Sequence, residues 1–340
     1  MTADPTQKTA PRSAPAVAQI RLPLEPMDPQ LTSIQPGGGV VMRLELAWGS
    51  VRRWCLKTFR PGYVARMAAL RRGEKNACPF EVLDPRDLKF FRNQKGYWWD
   101  AEDDPFAWRD RLPFARAGLM ELWLISGLFF AVAAGAAWGA TALASWLWAV
   151  SATGAFLGAC IVWFFRNPRR EIPREAGLAV SPADGKVVLI EEIPHDEFIG
   201  GPAVLIGIFL SVFNVHINRT PVAARVIGLR YRKGKFLNAL RPESARENEQ
   251  LAVRIEENRP PYRRMIVRQI TGQIARRIVC WVKPGDELTA GEQFGMIKLG
   301  SRTELVLPRE PGLEILVQVG EHVRAGSSVL ARYPTFSDRD

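Results

Sequence analysis

Three groups in this 340-residue chain belong to the kinds of side chain that together activate a hydroxyl. Gly300-Ser301 ends the run Phe294-Gly-Met-Ile-Lys-Leu-Gly300-Ser301, so a hydroxyl directly follows a glycine. His216 closes an apolar stretch in Val215-His216-Ile-Asn-Arg-Thr-Pro221, and Asp184 precedes another in Ser181-Pro-Ala-Asp184-Gly185-Lys186. With such a set a base removes the hydroxyl proton while a third group orients the base. Each piece alone also has a structural reading. Gly-Ser between two strands is commonly a hairpin turn, Asp-Gly is a routine turn pair, and a lone histidine can be a satisfied core residue.

The inventory narrows the chemistry further. The histidines are His195, His216 and His322, none at ligand spacing from another His or Cys, so no metal site is expected. Cys55, Cys78, Cys160 and Cys280 lie far apart without a Cys-x-x-Cys pair, which reads as free thiols rather than a disulfide framework. A formal charge of +11 calls for an anionic partner, nucleic acid or acidic lipid. No nucleic-acid recognition motif is present, and the basic residues crowd just before an apolar stretch, as they do at a membrane surface.

These groups need elements to position them, and the chain divides into four stretches. Residues 1–38 carry prolines and a GGG run without apolar periodicity or the apolar core of a signal peptide, and read as a disordered tail. Residues 39–117 form a basic, Trp-rich extension. There Leu44, Trp48, Val51, Cys55 and Phe59 fall on helical spacing among Arg52, Arg53, Lys57 and Arg60. Such a segment either lies in a membrane interface or packs as a solvated helix on the main domain. Residues 118–166 are an apolar helical hairpin. Between Glu121 and Arg166 run 44 residues without a charge, enough for two crossings of about 20 residues each. The Ala- and Gly-rich stretch 133–140 marks the expected turn. Arginines at both ends place both on the cytoplasmic side of the cell membrane, which an even number of crossings satisfies.

Residues 167–340 read as a mainly β domain, with strands expected at 186–190, 203–213, 225–231, 265–270, 275–282, 305–307, 313–319 and 328–333. Residues 241–260 read as a mobile excursion. An internal repeat pairs Val282-Lys-Pro-Gly285-Asp-Glu-Leu288-Thr-Ala290-Gly291 with Val317-Gln-Val-Gly320-Glu-His-Val323-Arg-Ala325-Gly326, offset by 35 residues. Two such units suit a pseudo-symmetric sandwich and resemble the swapped-hairpin fold of biotinyl and lipoyl carrier domains.

Six pieces occur in one order: Phe164-Phe165-Arg166-Asn-Pro168, Ser-Pro-Ala-Asp184-Gly, Val-His216-Ile-Asn-Arg-Thr-Pro221, Tyr231-Arg-Lys-Gly-Lys-Phe236-Leu-Asn238-Ala, Glu247-Asn-Glu249 and Phe294-Gly-Met-Ile-Lys-Leu-Gly300-Ser301. Together they resemble the phosphatidylserine decarboxylase family, in its shorter, mostly prokaryotic branch, over roughly residues 119–334. The resemblance implies a chain that cuts itself between Gly300 and Ser301, leaving chains 1–300 and 301–340 associated. Ser301 would become a covalent pyruvoyl cofactor. It would form a Schiff base with phosphatidylserine in the membrane and yield phosphatidylethanolamine and CO2. Asp184 is implied in self-cleavage, and His216 in cleavage, in protonating the decarboxylated intermediate, or in both. In the longer branch a second histidine follows three residues after the first; here that position is Arg219, and Asn214 stands where an aspartate is expected. His216 therefore serves both steps, or another group supplies one. Whether the protein forms a homo-oligomer is left open.

Two other readings follow from the same residues. One is a decarboxylase of another serine-headgroup lipid, such as an archaetidylserine-like ether lipid. The other is a membrane-tethered biotinyl- or lipoyl-like module without enzymatic activity, for which Lys186, in Asp-Gly-Lys-Val, is the candidate carrier lysine.

Overall fold

The computed structural model describes residues 21–71, 89–94, 101–104, 106–273, 277–298 and 300–334. The first 20 residues, Cys78 and the Tyr97-Trp98-Trp99 run lie outside them.

The expected mainly β domain preceded by a helical hairpin is what the chain forms. Its strands are β1 (Leu178–Val180), β2 (Gly185–Asp196), β3 (Gly201–Leu210), β4 (Ile217–Arg219), β5 (Ala224–Arg232), β6 (Gln250–Glu257), β7 (Arg264–Thr271), β8 (Arg277–Cys280), β9 (Glu287–Leu288), β10 (Gln293–Lys298), β11 (Ser301–Pro308), β12 (Glu314–Ile315), β13 (His322–Val323) and β14 (Val329–Arg332). An eight-stranded antiparallel sheet runs in the order β13-β2-β3-β11-β7-β6-β5-β9 and curls into a half-barrel. Two three-stranded sheets, β1-β14-β12 and β4-β10-β8, complete the domain. Central strands β3 and β11 are buried along almost their whole length, which is why β3 reads as a continuous apolar run rather than an alternating one.

The repeat is real in three dimensions. Gly285 and Gly320 turn at φ 97° and 101°, and Gly291 and Gly326 at 72° and 77°, left-handed values that suit glycine. After the first turn β9 pairs with β5, and after the second β13 pairs with β2. Residues 241–260 are not an excursion: a short helical turn at Ser244–Glu247 leads into β6, with Leu251, Val253 and Ile255 buried at alternate positions. Its intervening Arg and Glu residues masked a two-residue period that packing makes plain.

Four longer helices precede the sheet among the described residues: α1 (Val40–Phe59), α2 (Pro61–Leu70), α3 (Gly127–Ala142) and α4 (Leu147–Phe164). Continuous helical spans Arg116–Ala142 and Leu147–Phe164 are long and apolar enough to cross a membrane. At 1.5 Å per residue they measure about 40 and about 27 Å, against a hydrocarbon core of about 30 Å. Exposed tryptophans mark both ends, Trp123 and Trp163 at one, Trp138, Trp146 and Trp148 at the other, as in an aromatic belt.

The turn of this hairpin lies at residues 143–146, not at 133–140. The Ala- and Gly-rich stretch is helical, and its Ala133 and Gly139 face Gly154 and Leu147 of the second span. A Cβ built on Gly154 would come within 3.1 Å of the Phe129 carbonyl, and one on Gly158 within 2.8 Å of the Phe130 ring. Small residues let apolar helices approach closely, so their clustering signalled an interface.

Residues 21–38 also differ from the disordered tail that their composition suggested. Leu31 and Ile34 are buried, Glu25 N–H donates to the Ile227 carbonyl, and Cys280 N–H donates to the Ile34 carbonyl. This strap bonds β5 through Glu25 and Asp28 and the edge of β8 through Ile34, partners that no local periodicity reveals. Cys55, Cys160 and Cys280 are free thiols.

Candidate active site

Ser301 opens β11, where its register partners are Leu210 on β3 and Thr271 on β7. It is fully buried, and its Oγ has no hydrogen-bond partner. An unpaired buried hydroxyl is costly and calls for an explanation. Gly300 supplies the preceding turn at φ 59°. Its carbonyl oxygen lies so close to Gly272 that a Cβ there would sit 2.3 Å away, so residue 272 must be glycine for the carbonyl to occupy this cradle.

His216 lies at the entry to β4, the strand paired with β10. Gly300 N–H donates to its Nε2 at 3.1 Å, and its Nδ1 is 2.9 Å from the Asn214 carbonyl. Because the amide can only donate, Nε2 is the bare acceptor and Nδ1 carries the proton. Burial drives the imidazole pKa down to about 4, with the Asn214 hydrogen bond opposing and the Arg166 charge assisting. The ring is therefore neutral at physiological pH. Phe164, the last residue of α4, packs against it with ring centroids 4.6 Å apart, so the membrane hairpin ends on the imidazole.

Asn214 performs a structural task at the place where an aspartate was expected: its Oδ1 accepts from Ser211 N–H and Ser211 Oγ–H. Asn218 donates to Thr303 Oγ1 at 3.0 Å and accepts from Gln269 Nε2 at 2.9 Å, tying β4 to β11 and β7. Asn248, fully buried, donates to the Thr271 carbonyl beside Ser301 and also binds the Leu237 backbone.

Of the four residues singled out in the sequence, Gly300, Ser301 and His216 come together. Asp184 takes other partners: Arg170 at 2.6 Å and the Ala325 amide at 2.8 Å. Arg166 and Arg219 also feel its charge, and both have their pKa lowered, chiefly by burial, with Arg170 adding repulsion. Three guanidiniums thus lie within reach of the Asp184 charge, and Arg170 alone is bonded to it. Arg166 stands at the rim of an apolar groove of about 450 Å³ lined by Phe130, Ala159, Val162 and Trp163.

Sequence reading missed Gly272, Asn218, Gln269 and Lys298. The buried ammonium of Lys298, two positions before the turn, pairs with Glu121 and donates to Gln35 Oε1 at 3.1 Å. Lys298 and Asn218 could have been flagged by their places within the Phe294–Ser301 and Val215–Pro221 runs. Gly272 and Gln269 carry no such signal, because each works through a strand distant in sequence.

A buried hydroxyl, a glycine turn and a neutral imidazole, carried beside two membrane-length helices, are the parts of a site that activates a serine hydroxyl. Comparison with known proteins specifies which kind. The family model for phosphatidylserine decarboxylase matches residues 157–331. The phosphatidylserine decarboxylase proenzyme of Rhodopirellula baltica is 54% identical over 248 residues, covering 72% of this chain and 99% of that protein. The proenzyme of Symbiobacterium thermophilum is 46% identical over 187 residues (55% of this chain, 85% of that protein). That of Carboxydothermus hydrogenoformans is 49% identical over 172 residues (51% and 79%). The chain belongs to the phosphatidylserine decarboxylase family.

Proposed function

We propose that this protein cuts itself between Gly300 and Ser301 and then decarboxylates phosphatidylserine to phosphatidylethanolamine. The observation that carries this reading is the unpartnered, buried Ser301 Oγ next to a peptide whose Gly300 amide is held by a neutral His216.

In the first step Ser301 Oγ attacks the Gly300 carbonyl carbon. His216 Nε2 has one lone pair, so it releases the Gly300 N–H to accept the hydroxyl proton. The peptide C–N bond breaks, the amine of residue 301 takes up a proton, and an ester now joins Gly300 to Oγ. Removal of the Ser301 Cα proton expels the Gly300 carboxylate as the end of chain 1–300. One water then replaces the nitrogen at residue 301, and ammonia leaves. Ser301 fits this conversion, since its side chain has no other bond to lose and its strand is held on both sides. A pyruvoyl group at residue 301 supplies a carbonyl that condenses with the substrate amine and takes up the electron pair left as CO2 departs.

The chain's own residues do the rest. His216, neutral and fixed by Asn214, moves protons at the cleavage site and returns one to the substrate Cα. Asp184 acts in self-cleavage as a positioning residue, because its bond to Ala325 ties the Ser181–Gly185 turn to the segment that becomes chain 301–340. The groove beside Arg166 suits an acyl chain, and the guanidinium suits the lipid phosphate. A headgroup enzyme gains from meeting its lipid in place, since each buried methylene holds the lipid in the bilayer by about 0.8 kcal/mol.

Intact mass tests the first half. The expected result is two chains, with the 301–340 fragment lighter by one ammonia than its serine form, and a single uncut chain for Ser301→Ala. Asp184→Asn should be cut more slowly than the parent. Release of CO2 from carboxyl-labelled phosphatidylserine in vesicles tests the second half. A cut, active Ser301→Ala protein would sink the mechanism. The flanking arginines further support a catalytic domain on the cytoplasmic face of the cell membrane. Protease added to intact cells should leave residues 167–340 untouched and reach them only after lysis.

A further inference from the structure

The first 38 residues and α1 precede the family match. The inward side of α1 carries the buried Glu45, Gly49 and Arg53 beside half-buried Met42 and Leu46, with Glu45 ion-paired to Lys89 at 2.6 Å. Its outward side carries Val40, Leu44, Trp48, Val51, Trp54 and Phe59, exposed by 51 to 73%. At 3.6 residues per turn these six form one continuous stripe. Arg52 falls on one flank of the stripe and Arg43 on the other, and Glu45 is the helix's single acid. An exposed face of six large apolar side chains, two of them tryptophans, is ill matched to water as its outer solvent.

Its position says what that solvent is. Met42 and Leu46 pack in the same cluster as Leu119, Leu122, Ile161 and Val162, the level at which both hairpin spans leave the apolar zone. Trp123 and Trp163 stand exposed at that level. The helix is thus seated beside the base of the hairpin on the face opposite its stripe, which leaves the stripe turned outward next to that belt.

We propose that α1 is a second membrane anchor, lying in the plane of the interface and engaging an anionic leaflet with its apolar stripe and flanking cations. This goes beyond the decarboxylase reading and does not depend on Ser301 chemistry. A tilted or shallow hairpin could move the reaction centre relative to the surface; a helix laid flat beside it removes that freedom and fixes the height of His216 above the headgroups. The cations attract acidic lipid and so raise its local concentration where the substrate is taken up.

Photocross-linking tests the proposal in the full chain reconstituted into phosphatidylcholine vesicles, with and without phosphatidylglycerol. The photoreactive residue p-benzoylphenylalanine replaces Trp48 in one sample and Ser50 in a second. A third sample carries it at Trp123 as the internal standard for bilayer insertion. The expected result is a lipid adduct at position 48 comparable to that at 123, less at 50 at the edge of the stripe, and a several-fold rise at 48 when phosphatidylglycerol is present. A dimer-sized adduct at 48 would mean that a second copy covers the stripe, and an adduct to residues 72–88 would mean that the chain covers itself. Either result overturns the proposal, as does a lipid adduct at 123 without one at 48. A yield at 48 indifferent to phosphatidylglycerol overturns the anionic part.

Discussion

At the scale of single residues, His216 shows how burial sets a reactive group. Its environment lowers the imidazole pKa to about 4 from the usual 6.5, so between these values the unfolded chain binds a proton that the folded chain refuses. Stability therefore rises with pH across that window and is lost as pH falls through it. The base form needed at Nε2 survives down to the lower value. Self-cleavage of freshly folded precursor should accordingly hold its rate from pH 8 to about 5 and fall as pH approaches about 4. His216→Gln, which can still accept the Gly300 N–H, should cut at least about 100-fold more slowly and should melt with a flatter dependence on pH between 6.5 and 4. Cleavage of His216→Gln at the parent rate would show that the imidazole only holds the turn.

At the scale of elements, strand β10 is held by groups outside its own sheet. Lys298 reaches Glu121 at the base of the first membrane span and Gln35 in the strap, and Ile34 of the strap caps the β8 edge. Burial lowers the Lys298 pKa, with Glu121 opposing. Breaking such a pair from one side leaves a buried charge alone and costs about 3–5 kcal/mol, whereas removing both partners costs far less. Lys298→Met should therefore melt well below the parent, and Lys298→Met with Glu121→Leu should melt above either single variant, with a coupling of about 1–3 kcal/mol. Additive losses would mean that the two side chains do not support each other. This link also shows where sequence reading ends. Most of the longer strands, the repeat and the hairpin were legible because period and punctuation are local, and the family motif pointed to His216 beside Gly300-Ser301; β6 and β10 were not legible. The strap, the Lys298–Glu121 bond and the Gly272 cradle join residues tens to hundreds of positions apart, and nothing in their neighbourhoods announces a partner. The misplaced hairpin turn has a different cause: glycine and alanine serve both turns and close helix contacts, and only packing separates the two uses.

At the scale of the whole molecule, the proposed cut falls where the fold can survive it. Residues 301–340 contribute β11 to the middle of the large sheet, paired with β3 from Ser301 to Pro308 and with β7 from Ser301 to Val306. Further along, β13 pairs with β2, and β14 with β1. Tyr333 N–H donates to the Gly177 carbonyl. Leu305, Leu307, Leu313, Val323 and Leu330 of this segment all belong to the main core. Burying each such side chain contributes about 1.5–3 kcal/mol, and none of these contacts involves the Gly300–Ser301 bond. The short chain should therefore stay with chain 1–300 through detergent extraction and gel filtration, and leave it only in concentrated urea. An affinity tag at the N-terminus should retain the 301–340 fragment in a one-to-one ratio through extended washing. Loss of the fragment under native conditions would mean that the sheet depends on chain continuity at its centre, and that residue 301 is not held in place for reaction after the cut.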